Sequence, residues 1–173
     1  MVFLFTGNGK GKTTAAIGQA VRALGQGKKA IMYQFIKSPS WPSGEEKTVR
    51  KFGKKFQIIK GGMGFVGILG DKLSFKVHKK AAEKTLAKAE KTIKSLLFDL
   101  VILDEINVAV SLGLIAKKRT IALALKFPKD KVLILTGRNA SRELIETADL
   151  VTNFEEIRHP FQKKIPAQKG IEY

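Results

Sequence analysis

The chain has 173 residues, of which 32 are Lys or Arg and 15 are Asp or Glu, so its formal net charge is +17. It contains no cysteine, which excludes disulfides, thiolate metal sites and a cysteine nucleophile. Apolar residues make up 44% and charged residues 27%, a balance typical of a globular protein, and the length predicts one domain over residues 1–173. No apolar run is long enough to span a bilayer and no signal-peptide pattern opens the chain, so we expect a cytoplasmic protein.

Six short apolar runs predict β-strands, and helical patterns lie between most of them. The predicted strands are 2–5, 30–35, 56–60, 100–104, 132–136 and 150–154. The predicted helices are 13–24, 72–97, 107–114, 117–126 and 141–147. Several of the strand runs are apolar without alternation, which is typical of strands covered on both faces and therefore of a parallel sheet. The pattern predicts an α/β fold with a mostly parallel central sheet of about six strands and helices on both faces.

The first predicted strand runs into a glycine-rich stretch and then a helix, the context that a phosphate-binding P-loop needs. Small residues let the backbone turn tightly and point N–H groups at phosphate oxygens, and the helix N-terminus favours anions. Lys12 can bridge phosphates, and the Thr13 hydroxyl can bind Mg²⁺. Thr6 stands where the first glycine of the usual pattern is expected. The residues predicted to bind a nucleoside triphosphate, ATP, are Gly7, Asn8, Gly9, Lys10, Gly11, Lys12, Thr13 and Thr14.

Two stretches between the next predicted elements lack a regular pattern. Residues 37–46 are rich in turn-forming residues. Residues 61–70 carry five glycines among apolar residues. Surface loops are rarely that apolar, so the second stretch either packs inward or covers a bulky apolar ligand.

The longest predicted helix, 72–97, has an apolar side and a lysine side. The side predicted to be buried carries Leu73, Val77, Leu86, Ile93 and Leu97. The other side carries Lys76, Lys80, Lys84, Lys88 and Lys91 at helical spacing. We interpret this lysine stripe as a solvated face rather than a nucleic-acid-binding surface, and we expect His78, which lies among the lysines, to be exposed.

Two later strands end in charged side chains. Strand 100–104 ends in Asp104 and Glu105 follows it. In P-loop proteins such a strand lies beside the first one, and an acid at its end holds Mg²⁺ (or Mn²⁺) directly or through water. The sequence leaves open which of the two acids does so. Strand 132–136 is followed by Gly137 and Arg138, whose guanidinium could clamp a phosphate tail at the ligand-facing edge of the sheet.

These motifs, in this order along nearly the whole chain, resemble those of the ATP:corrinoid adenosyltransferases of the RecA-like P-loop type. The matching segments are TGNGKGKTTAA at 6–16, QFIK at 34–37, WPSGE at 41–45, LDE at 103–105, TGR at 136–138 and AQKGIEY at 167–173. The family usually lacks the first glycine of the P-loop, so Thr6 fits it. The resemblance implies a RecA-like P-loop NTPase fold.

The resemblance also implies a reaction, in which the 5′-deoxyadenosyl group of ATP moves to the Co(I) centre of a reduced corrinoid and tripolyphosphate is released. The cofactor-like substrate supplies the nucleophile, so no protein nucleophile is required. Lys12 and Arg138 would stabilise charge on the leaving triphosphate, with Mg²⁺ held by Thr13 and by Glu105 or Asp104. The family holds ATP in reverse of the usual P-loop orientation.

The family also removes the lower axial ligand of Co(II), and aromatic side chains fill that side of the corrinoid. Phe65 matches the first aromatic residue of the family's motif, but Gly67 stands where a tryptophan is often found. Either displacement of the lower ligand is impaired, or Met63, Phe75 or a neighbour takes the place of the tryptophan. His159 matches a closing segment of the family and is either structural or next to the site.

The charge and the resemblance together suggest partners. Family members receive electrons from reduced flavoproteins that are often acidic, so we expect a basic face to speed docking of such a donor. The resemblance further implies a homodimer. The P-loop leaves two other functions open: a nucleic-acid-dependent ATPase, which the net charge would suit, and a small-molecule kinase. Because no basic segment is interleaved with aromatic residues, we do not expect a nucleic-acid partner.

Overall fold

The computed structural model describes residues 1–68, 70–163 and 165–171. Leu69 of the glycine-rich stretch and Glu172 and Tyr173 of the closing motif lie outside these residues. Within the described part, no helix has both the length and the apolar character needed to cross a membrane.

Six strands form one sheet in the order β3-β2-β4-β5-β1-β6, and every neighbouring pair is parallel. The strands are β1 (Val2–Thr6), β2 (Ala30–Gln34), β3 (Phe56–Lys60), β4 (Leu100–Asp104), β5 (Val132–Thr136) and β6 (Leu150–Asn153). Each lies within one residue of its predicted bounds. The α/β class and the parallel sheet are therefore confirmed, and the continuous apolar runs are explained by burial on both faces.

The prediction that the acidic strand, 100–104, lies beside β1 is wrong. β4, which ends in Asp104, pairs with β2 and β5, whereas β1 pairs with β5 and β6. β5 therefore lies between the P-loop strand and the acidic strand. All three strands are apolar on both faces, so nothing in their local sequence fixes their order. Because they are parallel, their carboxyl ends still meet at one edge of the sheet.

Helices cover both faces of this sheet. They are α1 (Lys12–Gly25), α2 (Gly44–Val49), α3 (Phe75–Lys94), α4 (Ile106–Ser111), α5 (Lys117–Leu125) and α6 (Arg142–Thr147), with 3₁₀ turns at Arg50–Lys55 and Pro160–Lys163. Ala16 and Ala20 of α1 share one core with Met32 of β2. Tyr33, the next residue of β2, points to the opposite face and shares the second core with Leu86 of α3.

Helix α2 was not predicted, because residues 37–46 were interpreted as irregular. A capping box begins it, in which the Ser43 side chain faces the backbone of Glu46 and the Glu46 carboxylate accepts the Ser43 N–H at 3.2 Å. Serine followed three residues later by glutamate is a recognised helix start. The pattern was therefore present in the sequence, among turn-forming residues that obscured it.

The buried side of α3 differs from the predicted one. Leu86 is buried and Ile93 is partly buried, but Leu73 and Leu97 lie outside the helix and are exposed, as is Val77. The residues that α3 buries are His78, Ala82, Thr85, Leu86 and Ala89. Small side chains on this face allow close packing on the sheet, which the count of large apolar residues could not show.

His78 is buried, so the expectation that it is exposed is wrong. Its Nε2 lies 3.0 Å from Oδ2 of Asp71 in the loop before α3, and this hydrogen bond satisfies the buried ring. Helical spacing places it on the face opposite the lysine stripe, which is exposed as predicted along its whole length.

Candidate functional site

The loop between β1 and α1 has a backbone that only glycine can follow. Gly7 and Gly11 have φ angles of 95° and 116°, in the left-handed region. A Cβ atom on Gly7 would lie 2.4 Å from the carbonyl oxygen of Phe154, and one on Gly9 would lie 2.6 Å from that of Glu155. The Gly9 N–H donates to the Phe154 carbonyl at 2.7 Å, so it is not available to a phosphate. The main chain after β6 thus packs directly against the loop.

Lys12 is the first residue of α1, and its side chain turns back into the loop. Its Nζ donates to the carbonyl oxygens of Gly7 at 2.8 Å and Gly9 at 2.6 Å. The residue is only 7% exposed, and this burial lowers the pKa of the ammonium below its ordinary value. A positive charge is therefore held in a concave loop at a helix N-terminus, where it is only partly solvated and suited to a polyanion.

Asp104, at the end of β4, joins three other elements through its carboxylate. Its Oδ1 accepts the hydroxyls of Thr13 at 2.8 Å and Thr136 at 2.7 Å. Its Oδ2 accepts Nε2 of Gln34 at 3.1 Å, while Oε1 of Gln34 is buried without a hydrogen-bond partner in the part of the chain that the structure describes. Asp104 is 0% exposed, and its hydrogen bond holds the Thr13 hydroxyl in place.

Glu105 adopts a left-handed conformation with a φ of 60°, which is costly for a residue with a Cβ. Its N–H donates to Thr136 Oγ1 at 2.9 Å, and a Cβ on Gly137 would lie 3.0 Å from its Oε2. Burial first, and then the charge of Asp104, raise the pKa of the Glu105 carboxyl to about 7. The Glu105 carboxyl therefore keeps its proton up to a higher pH than an exposed glutamate does.

A cavity of about 710 Å³ opens at this edge of the sheet, large enough for a nucleotide. Its lining includes six of the predicted nucleotide-binding residues and two of the predicted charged residues. These are Gly9, Lys10, Gly11, Lys12, Thr13 and Thr14, with Glu105 and Arg138. Gly7, Asn8, Asp104 and Phe65 are not part of this lining.

Phe65 instead pairs with Trp41 at the surface. Their ring centroids are 5.4 Å apart with an interplanar angle of 48°, and each side chain is 44% exposed. Gly64 lies under the Trp41 ring, since a Cβ there would be 3.1 Å from the indole. We name Trp41 and Phe65 the aromatic pair. The start of the glycine-rich stretch packs inward, where a Cβ on Gly62 would lie 2.3 Å from the Ile36 carbonyl, and its middle exposes Phe65.

Comparison with known proteins gives this geometry a family. The sequence model of the family described as ATP:corrinoid adenosyltransferase BtuR/CobO/CobP matches residues 1–173. The chain belongs to this family. It is 34% identical to the corrinoid adenosyltransferase of Escherichia coli K12 over 173 residues, covering all of this chain and 85% of that protein. It is 36% identical over 180 residues to the corrinoid adenosyltransferase of Pseudomonas aeruginosa, covering all of this chain and 83% of that protein.

The chain also resembles a solved structure of different sequence. A KaiC-like protein from Pyrococcus horikoshii OT3 superposes with a TM-score of 0.54 at 18% identity, covering 89% of this chain and 72% of that one. This likeness bears on the fold alone, and it agrees with the predicted α/β architecture. Family membership makes the chain a transferase that acts on ATP and a corrinoid, and it favours that activity over the kinase and the nucleic-acid-dependent ATPase.

Sequence reasoning assigned no site role to several other residues that line the cavity, which are Ile17, Lys37, Gly44, Glu45, Thr48, Gly170 and Ile171. His159 also lines it, which fits the prediction that this residue is either structural or next to the site. Lys37 donates a hydrogen bond to the Glu45 carboxylate at 2.6 Å. Burial alone would raise the pKa of Glu45, but the hydrogen bond and the charge of Lys37 lower this pKa below its usual value. Lys37 follows β2 at the ligand-facing edge, which could have indicated its place. The position of Glu45 depends on the unpredicted helix α2.

Proposed function

We propose that this chain binds ATP in the 710 Å³ cavity and transfers its 5′-deoxyadenosyl group to the Co(I) centre of a reduced corrinoid, releasing tripolyphosphate. The observation that carries the proposal is the buried Lys12 ammonium inside the P-loop, next to the Thr13–Asp104 hydrogen bond. The match of the family model to residues 1–173 supports both the reaction and the treatment of the chain as a single functional domain.

The polyphosphate would lie along the P-loop. Lys12 can exchange its bonds to loop carbonyls for bonds to phosphate oxygens, and Lys10 and Arg138 line the same cavity. These cations stabilise the charge that develops on the leaving tripolyphosphate. The reversed orientation of ATP implied by the resemblance would present C5′, rather than the γ-phosphate, to the second substrate.

The oxygen atoms near Thr13 fit a Mg²⁺ or Mn²⁺ ion, because such hard cations prefer hydroxyl, carboxylate and phosphate ligands. Bound there, the ion would neutralise part of the triphosphate charge. Glu105 lines the cavity, whereas the Asp104 carboxylate is fully engaged with Thr13, Thr136 and Gln34. We therefore assign Glu105 to contact the ion or its water shell and Asp104 to hold Thr13 in place.

The aromatic pair is the proposed contact for the corrinoid. Trp41 stands against Phe65 in a chain where Gly67 replaces the tryptophan that the family often has. Two exposed rings side by side can fill the space that the lower axial ligand leaves. The catalytic role of Phe65 would then be exercised together with Trp41, a residue from the preceding loop.

The assay for this function uses ATP, Mg²⁺ and chemically reduced cobalamin. A light-sensitive Co–C product, followed by visible absorbance, and tripolyphosphate, identified by phosphorus NMR, are expected together. ADP as the only phosphorus product would point to a kinase, and inorganic phosphate released in response to DNA or RNA would point to a nucleic-acid-dependent ATPase. Either result without the Co–C product would remove the proposal.

The physiological setting is a further part of the proposal. We place the enzyme in the cytoplasm as a homodimer that accepts electrons from an acidic reduced flavoprotein. The exposed lysine stripe of α3 supports such a donor, since it offers five positive charges along one face, and the two glutamates of this helix, Glu83 and Glu90, pair with Arg119. Sedimentation of the purified protein as a monomer would remove the dimer from this proposal.

A further inference from the structure

A buried lysine connects the two proposed substrate regions. Lys60 ends β3, and its side chain is only 2% exposed. Its Nζ lies 2.5 Å from Oε2 of Glu46 and also donates to the main-chain carbonyl of Trp41. A buried ammonium requires such partners, because an unpaired charge in this position would be very costly. Lys60 therefore holds two points of the segment that runs from β2 to α2.

The first point is the start of α2. Glu46 accepts both Lys60 and the Ser43 N–H, so one carboxylate begins the helix and anchors it to β3. Burial alone would raise the pKa of Glu46, but its hydrogen bond to Lys60, assisted by the lysine charge, lowers the pKa below its usual value. Gly44 and Thr48 of the same helix line the nucleotide cavity. The anchor thus fixes one wall of that cavity.

The second point is the aromatic pair. Trp41 lies in a stretch without helix or strand, and its ring contacts Phe65 and covers Gly64. Its main-chain carbonyl accepts a hydrogen bond from Nζ of Lys60. We propose that Lys60 is a positioning residue for adenosyl transfer, which fixes the aromatic pair relative to the α2 wall of the nucleotide cavity. This inference rests on the proposed function of that cavity and that pair.

The chemistry of lysine suits this task. A flexible stem ending in three donors can satisfy a carboxylate and a carbonyl that lie in different directions. A buried ion pair adds little net stability compared with apolar packing of the same volume, so stability alone gives weak reason for its presence. Because transfer requires C5′ and cobalt to be closely aligned, a small displacement of the pair would lower the rate with the fold intact.

The test uses Trp41 itself, which is the only tryptophan in the chain. Its emission and its quenching by acrylamide report on the aromatic pair without either substrate. In K60M we expect stronger quenching and a shifted emission maximum. We also expect kcat/KM for cobalamin to fall by about tenfold to a hundredfold, since a misplacement of about 1 Å can cost up to about a hundredfold. The KM for ATP should change much less. Exposed Lys54 supplies the matched control, so K54M should leave every readout unchanged.

A double variant separates positioning from folding. K60M leaves the partly buried Glu46 carboxylate without its cation. K60M/E46Q removes that charge, so we expect the double variant to regain unfolding stability but not kcat/KM. If the kinetic loss vanished together with the stability loss, Lys60 would be structural and the inference would be overturned. Wild-type quenching in K60M would overturn it equally.

Two further arms complete the experiment. If K60M does not fold, K60R supplies the same measurements, since its rigid fork keeps the charge but cannot meet both acceptors as lysine does. We then expect altered Trp41 quenching with a smaller kinetic loss, and wild-type values in both would overturn the inference. If the wild-type protein formed no Co–C product, the proposed function would be wrong. The effect of Lys60 on Trp41 quenching does not depend on that result.

Discussion

The P-loop edge and the aromatic pair differ in what holds them in place. At the P-loop, glycines in left-handed conformations pack against the Phe154 main chain, and Lys12 and Asp104 are buried. The aromatic pair consists of two half-exposed rings from separate loops, held by one ring contact and by Lys60 beneath. The P-loop edge is therefore held by buried contacts, whereas the aromatic pair depends on few contacts at the surface.

The largest effect should come from removing the Lys12 charge at the P-loop edge. Lys12→Ala should lower kcat/KM for ATP by at least about a hundredfold, because a leaving triphosphate loses its central cation. The measurement is initial rate with pre-reduced cobalamin over a range of ATP concentrations. The exposed Lys54→Ala is the control, and comparable losses in the two variants would show that general charge rather than the P-loop matters.

Glu105, at the same edge of the sheet, should make the stability of the protein depend on pH. Its carboxyl has a pKa raised to about 7 in the folded protein, so the folded state binds this proton more tightly than the unfolded state does. Without Mg²⁺ or nucleotide, stability should therefore fall as the pH rises from about 5 to about 7, by up to about 3 kcal/mol. Denaturant unfolding at several pH values measures this fall.

Glu105→Gln, which stays uncharged, should flatten this part of the stability profile. If the wild type and Glu105→Gln show the same slope between these pH values, another group is responsible. An intact slope in the wild type that disappears when Mg²⁺ and ATP are added would further support a cation next to Glu105, because bound Mg²⁺ favours the ionised carboxylate.

A more selective effect is expected at the aromatic pair. Phe65→Ala should lower the rate from Co(II) with a reductant by about tenfold, yet leave the rate from pre-reduced Co(I) within about twofold, since the ring acts before the transfer itself. Both rates are read from Co–C absorbance. Equal losses in the two assays would mean that Phe65 only packs against Trp41.

The smallest effect should come from the lysine stripe of α3, which belongs to neither region. With an acidic flavoprotein as donor, the second-order rate of reduction should fall several-fold between low salt and about 0.2 M salt, because ions screen docking of opposite charges. Rates with a small chemical reductant give the control and should not change. A flavoprotein-driven rate that ignores salt would argue against docking through this face.

Much of this fold was predictable because its strands and longest helices have local causes. The apolar runs of β1 to β6 and the glycines at 7 and 11 each indicate a backbone conformation from only a few neighbouring residues. Asp104 at the end of β4 and Glu105 after it were likewise predicted to be site residues, and Glu105 lines the cavity. His78 and α2 were misjudged, since helix faces with small residues and short capped helices give weak local patterns.

The sequence by itself determined the α/β class, the P-loop, and the family to which its motifs belong. Only the tertiary structure decided that β5 separates β1 from β4, that Asp104 gathers Thr13, Thr136 and Gln34, and that Lys60 reaches Trp41. The reason is physical. Backbone conformation and apolar periodicity are set by neighbouring residues, whereas a hydrogen bond between Thr13 and Asp104, 91 residues apart, exists only after the sheet has brought its strand ends together.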